Sequence, residues 1–142
     1  MSFRIVPFEP EHLGSLGLQH EQAHAQYLID QVRAARVGMG IAFTAMTDRP
    51  VACGGVVPIW EGRDLAWSML SECGPPTFLR IHKAVARFFE RRKTRRTEMW
   101  VYSTFAAGHR WALLLGFHQE CRMRGFAPDG SDMDLYARIR DV

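Results

Sequence analysis

The chain predicts one mixed α/β domain with six or seven strands and about four helices. Three observations carry this expectation. A run of strands punctuated by turns fills residues 40–71, an amphipathic helix follows from about Thr77 to Lys93, and a strand-helix-strand-strand order closes the chain. At 142 residues there is enough chain for one core and too little for two comfortable ones.

Phe3 to Phe8 alternates Phe3 and Ile5 against Arg4 and Val6, so it reads as a short strand. Pro10 allows a helix to begin. A second helix is expected from Leu18 to Arg36, with Leu18, Ala25, Leu28, Ile29 and Val32 on one face, ended by Gly38 and Gly40. GIAFTAM (40–46) is a strand before the turn at 47–50. Val51 to Trp60 is apolar on both faces, as a central strand should be. Gly54-Gly55 within it predicts a bulge or a close backbone approach. Glu61-Gly62-Arg63 turns the chain, and Asp64 to Ser71 returns it antiparallel. Cys73-Gly74-Pro75-Pro76 breaks the pattern. The next helix carries Phe78, Ile81, Val85, Phe88 and Phe89 at helical spacing. Met99 to Thr104 is a strand, Ala106 to Leu115 a helix ended by Gly116, and Phe117 to Met123 a strand. Met133 to Ile139 is the last strand, its Met133, Leu135, Ala137 and Ile139 alternating with Asp134, Tyr136 and Arg138.

Composition excludes several classes. Apolar residues make up 47% and charged residues 23%, as in ordinary globular proteins. The longest apolar stretch, Trp111 to Phe117, is too short to cross a bilayer, so no membrane partner is expected. MSFRIVPFEP has no long apolar segment and no small-residue cleavage site, and Cys53, Cys73 and Cys121 are few and odd in number. Both point to a reducing, cytoplasmic setting.

HEQAH (20–24) matches the H-E-x-x-H pattern of zinc metalloproteases, in which two histidines one turn apart hold the metal and the glutamate activates water. No further histidine follows between Gln26 and Ala34 to complete a metzincin-type set. At about 100° per residue, His20 and His24 point away from the apolar stripe and share a side with Tyr27. His20 and His24 read either as plain polar-face residues or, with Tyr27, as the lining of a substrate cleft, and no metal is expected. Zinc hydrolysis stays as a second alternative.

The element order and GHRWALLLGF (108–117), followed by FHQECRMRG and MDLYARI, resemble the GNAT superfamily of acyl-CoA-dependent N-acyltransferases. The resemblance implies a mixed, mostly antiparallel sheet flanked by helices, acetyl-CoA as co-substrate, and a small-molecule or protein amine as acceptor. A homodimer is a common assembly among such domains. The family's diphosphate loop corresponds to LSECGPPTFLR (70–80). There Gly74, the N–H groups of Thr77, Phe78, Leu79 and Arg80, and the charges of Arg80 and Lys83 would hold the anion. The backbone from Trp67 through Met69 to Leu70 would pair with the pantetheine arm. The position of the family's frequent tyrosine acid is Ala112, and that of a frequent asparagine is Phe105. Water or Glu72 is expected to take the amine's proton, with His82 as another candidate base, and Tyr102 and Ser103, with His109 and Trp111, are the polar candidates near the reacting atoms.

Ala52-Cys53-Gly54-Gly55, Trp67-Ser68, the Arg80–Arg96 helix and His109-Arg110-Trp111-Ala112 are also similar to GNAT-like internal virion proteins of short-tailed phages. That branch implies an alternative, non-catalytic role in virion assembly or in contacts with phage or host proteins, placing the protein in host cytoplasm or virion.

Charge is uneven. Residues 80–96 hold 8 of the 18 basic residues against one acid, Glu90, so the rest of the chain is net negative. Within ERRKTRR (90–96) no aromatic residue interleaves with the cations, and cations suit a helix C-terminus. The run is read as a solvated helix end, and nucleic acid is not an expected partner.

Overall fold

The computed structural model describes residues 2–16 and 40–141. Seven strands form one sheet in the order β1-β2-β3-β4-β5-β7-β6. They are β1 (Arg4–Pro7), β2 (Ile41–Met46), β3 (Pro50–Trp60), β4 (Arg63–Leu70), β5 (Arg96–Tyr102), β6 (His118–Met123) and β7 (Met133–Ile139). Three helices lie among the described residues: α1 (Glu11–Gly14), α2 (Pro75–Arg91) and α3 (Ala106–Leu114). The helix expected over 18–36, with HEQAH in it, falls outside the described residues. No described helix is long and apolar enough to cross a membrane.

The strands from β2 to β4 form the expected meander, with β3 between its neighbours and apolar on both faces. At Gly54 and Gly55 the reason for glycine is close approach. A Cβ on Gly55 would lie 2.0 Å from the Ile41 carbonyl oxygen, while the β3–β4 register runs through both glycines without a shift. The bulge sits further along, between Pro58 and Trp60. Helix α2 begins two residues before the expected Thr77, because Pro75 and Pro76 occupy its first turn, where a missing N–H costs no helical bond. Strand β5 begins three residues before the expected Met99, drawn into the sheet by pairing of Arg96, Thr97 and Glu98 with both neighbours.

In β7 the expected alternation fails as a guide to burial. Asp134 and Tyr136 are buried beside Met133 and Ala137, whereas Ile139 is exposed. β7 lies between β5 and β6; Tyr136 packs into the core around Val101, Ala112 and Phe117 with its hydroxyl on His109, and Asp134 is held by Ser103 and Arg122.

Every neighbouring pair is antiparallel except β4 and β5. That parallel contact has only three pairs: Arg63↔Arg96, Asp64↔Thr97 and Leu65↔Glu98. Beyond it β4 stays paired to β3 as far as Leu70↔Ala52, and β5 stays paired to β7 as far as Tyr102↔Met133. The two strands are each held on their outer side and part from one another.

Buried carboxylates close the joined end. Glu98 accepts two bonds from Arg63, at 2.7 and 2.8 Å, and one from Arg96 at 2.6 Å. Arg96 reaches on to Glu120. Asp64 accepts from Arg92 at 2.6 Å and from the Thr94 hydroxyl at 2.9 Å. The bond from Arg63, helped by Arg96, outweighs burial and holds the Glu98 carboxyl below its ordinary value. Arg96 does the same to Glu120, and Arg122 and Ser103 to Asp134.

Carboxyls lowered in the folded state stabilise it fully above their unfolded values, near 4.5 for glutamate, and lose that contribution as pH falls through the folded values. Thermal melts from pH 7 to pH 3 should therefore show the melting temperature dropping below about pH 4.5. Glu98→Gln should cost about 2 kcal/mol at pH 7 and flatten that acid limb.

Candidate functional site

Where β4 and β5 part, a cleft of about 280 Å³ opens through the sheet. Ala66 to Leu70 form one wall and Met99 to Tyr102 the other. Phe78 from the first turn of α2, Phe105 just before α3 and Trp111 within it close one side, and Cys53 of β3 contributes to the opposite side. The lining is almost wholly apolar. Phe78 meets Trp111 edge-on with ring centroids 5.3 Å apart, and the Trp111 indole donates to His82 Nδ1 at 3.0 Å. That bond orients the indole over the cleft and makes Nδ1 of His82 the acceptor.

The structure brings part of the expected set together. Trp67, Met69, Leu70, Phe78 and Tyr102 all line the cleft. Thr77 and Gly74 stand next to Phe78 at the start of α2. Ala112 and Phe105, which occupy the positions of the family's tyrosine and asparagine, also line it. Glu72 is exposed in the segment leaving β4 and does not contribute to the wall. Ser103 is off the wall too. Its hydroxyl donates to Asp134 Oδ1 at 2.8 Å, and its carbonyl accepts from His109 Nε2 at 3.0 Å. With Nε2 facing that carbonyl, Nδ1 of His109 lies 2.7 Å from the Tyr136 hydroxyl. Burial, and secondarily Asp134, push the Tyr136 phenol up, so it remains a donor. His20, His24 and Tyr27 lie outside the described residues.

At the start of α2 the expected row of free N–H groups is shorter than read from sequence. The Phe78 N–H donates to the Gly74 carbonyl at 3.0 Å, and Leu79 and Arg80 lie beyond the first turn. Of the four groups a helix start leaves over, two belong to Pro75 and Pro76 and do not exist, so Gly74 and Thr77 hold the only ones. Gly74 itself has ordinary extended geometry, φ −68 and ψ 163, and a Cβ there would meet only Pro76 Cδ at 3.7 Å. Neither strain nor crowding within the chain calls for glycine. Arg80 is exposed, its guanidinium 6.0 Å from the Phe3 ring, and Lys83 is exposed a turn further on.

A donor chain that no sequence motif signals leads out of the cleft. Nδ1 of His12 accepts the Glu9 N–H at 3.1 Å, so the Thr44 hydroxyl, 2.6 Å away, donates to it as well. Thr44 Oγ1 then accepts from the Cys53 thiol at 3.5 Å. Burial pushes that thiol up, which keeps it protonated. Thr44 and Cys53 face each other across the β2–β3 pair, and His12 comes from α1, 32 residues before Thr44. Among the described residues no group of three or more His, Cys, Asp or Glu could hold a metal ion.

No protein-family model matches the sequence, and no curated protein sequence matches it. Solved structures do match. The ribosomal-protein-S18-alanine N-acetyltransferase of Escherichia coli aligns over 99% of this chain and 96% of its own, with a TM-score of 0.73 at 13% identity. Ard1 from Thermoplasma volcanium aligns over all of both chains with a TM-score of 0.74 at 13% identity. A GNAT family acetyltransferase from Elizabethkingia anophelis with acetyl-CoA bound aligns over 96% and 97%, with a TM-score of 0.72 at 14% identity. The architecture is the GNAT fold. These neighbours support neither the phage-virion nor the zinc-hydrolase alternative.

Thr44 is fully buried, so Thr44→Val keeps the shape but removes the bonds to His12 and Cys53. Urea unfolding should register a loss of about 1–2 kcal/mol.

Proposed function

We propose that the protein is an acyl-CoA-dependent N-acyltransferase that transfers an acetyl group to an amine. The observation that carries this reading is the parting of β4 and β5 after Leu65↔Glu98, which leaves an apolar, through-sheet cleft beside the start of α2. The GNAT neighbours, one solved with acetyl-CoA bound, favour the same chemistry. The lining fits an extended, largely apolar arm, with β4 from Trp67 to Leu70 along one side. At its mouth, Gly74 leaves room for close approach, and the N–H and hydroxyl of Thr77 are donors for an anion. Phe78 lies against the arm, and Leu79, exposed, flanks the anion. Arg80 adds the nearest side-chain charge. Lys83 lies eight residues beyond Pro75, about 12 Å along the helix, so it acts as a more distant cation.

Acetyl-CoA supplies the acyl group as an activated thioester. An acceptor amine attacks the acyl carbon directly, forming the C–N bond as the C–S bond breaks. Water or Glu72 takes the proton from the amine at the cleft mouth, and Tyr102 in the wall gives a proton to the departing sulfur. Ser103 holds Asp134 and His109 behind Tyr102 and so positions the end of β5. His20, His24 and Tyr27 are proposed to contact the acceptor.

An acetyl-CoA titration followed by thermal melting tests the reading. A rise of several degrees at saturating ligand is expected, since a ligand bound only by the folded form stabilises it. No rise at millimolar acetyl-CoA would overturn it. Gly74→Val, at the N-cap of α2, should cost no more than about 1 kcal/mol of stability yet weaken acetyl-CoA binding tenfold or more.

With an amine panel and thiol release as readout, Tyr102→Phe should lower kcat about 10- to 100-fold while leaving KM for acetyl-CoA within about twofold.

A further inference from the structure

The basic run that reads as a helix end in the sequence divides into two rows in three dimensions. At Arg92 the chain leaves α2 and becomes extended, with φ −79 and ψ 130. Arg92, Thr94 and Arg96 turn inward onto Asp64 and Glu98. Arg91, Lys93 and Arg95 are exposed, and none has an ion-pair partner among the described residues. The outward row is therefore not neutralised by the carboxylates that hold the inward one.

An exposed aromatic side chain stands beside that row, although none interleaves with it in sequence. The β3–β4 hairpin places Trp60 against the same groove, which Pro58 to Gly62 and Arg91 to Arg95 line together. Trp60 is 61% exposed, and the Arg63 guanidinium lies 4.4 Å from its ring centroid. Arg63 is held in turn by its two bonds to Glu98, so one side of the indole is backed by a fixed cation. The hairpin and the basic segment are tied, since the Arg96 N–H donates to the Gly62 carbonyl at 3.0 Å. Exposed Glu61 is the one acid lining the groove besides the paired Asp64, against three unpaired cations. The groove lies at the joined end of β4 and β5, away from the end where the cleft opens.

We propose that this groove binds single-stranded nucleic acid, with phosphates on Arg91, Lys93 and Arg95 and a base stacked on Trp60. Cations that track a backbone, next to an exposed aromatic face, are the combination single-strand binding uses. An acidic polypeptide could use the cations but would gain no base stacking from the indole. The proposal is independent of the acyl-transfer reading, because no residue of the groove lines the cleft.

Fluorescence anisotropy of a labelled ten-nucleotide oligothymidylate, at 20–200 mM salt, tests it, with an oligoglutamate of equal charge as competitor. Binding should weaken with salt at a slope near −2, from three phosphate contacts on a single strand. Trp60→Ala should weaken binding about tenfold without changing that slope, and Lys93→Ala and Arg95→Ala should each reduce the slope by about 0.7. Unchanged melting temperatures would show that the variants remain folded, as expected at exposed positions. No binding at 20 mM salt, oligoglutamate competing as well as oligothymidylate, or unaltered affinity in folded Trp60→Ala would each overturn the proposal.

Discussion

The architecture depends on how two buried carboxylates fasten the joined end of β4 and β5. A parallel contact of three residue pairs is a weak seam in a sheet whose other seams are longer and antiparallel. Asp64 and Glu98 reinforce it from within. Arg63 comes from β4, Arg96 from β5, and Arg92 from the end of α2, so their bonds join three elements at one point. Each carboxylate accepts more than one donor, which offsets the cost of taking it out of water. With that end fastened, the other end of the same seam can remain open while β3 and β7 hold the outer edges.

The division of chemistry along the seam follows. At the fastened end the side chains are charged and mutually satisfied, while at the open end they are aromatic and aliphatic. A polar lining there would carry unpaired groups whenever no ligand was present, at a cost for each. An apolar lining avoids that cost and favours a ligand that is itself largely apolar. Several polar atoms within reach of the cleft are held by protein partners: Trp111 by His82, Cys53 by Thr44, and Thr44 by His12.

The meander, helix α2 and the closing strands were legible because their signals are local: alternation, helical spacing and turn residues between Asp48 and Gly62. The strand at Met133–Ile139 was legible too, but which of its residues are buried was not, because alternation reports chemistry whereas burial depends on what lies across from it. Asp134 is buried against Ser103 and Arg122, 31 and 12 residues away in the chain, and Tyr136 within the core around Val101, Ala112 and Phe117, with His109 on its hydroxyl. Trp60 was invisible beside the basic run for the same reason, since a hairpin brought it there. The donor chain from Cys53 through Thr44 to His12 joins residues with no shared periodicity. At the start of α2, the sequence displays the prolines but not that the Gly74 carbonyl uses the Phe78 N–H.

That last detail governs what the mouth of the cleft can hold. A helix start ordinarily attracts an anion through several convergent N–H groups and the dipole behind them. Here the dipole of a 17-residue helix is intact, but two of the leading donors are replaced by proline rings. The attraction persists while the directional bonds that would fix an anion's orientation are reduced to Gly74, Thr77 and the side chains nearby. Proline rings also preset the backbone of this first turn, so the remaining donors need little ordering on binding. An anion at this position is therefore held by a stiff turn with few hydrogen bonds, and Arg80 has to supply much of what the missing N–H groups do not.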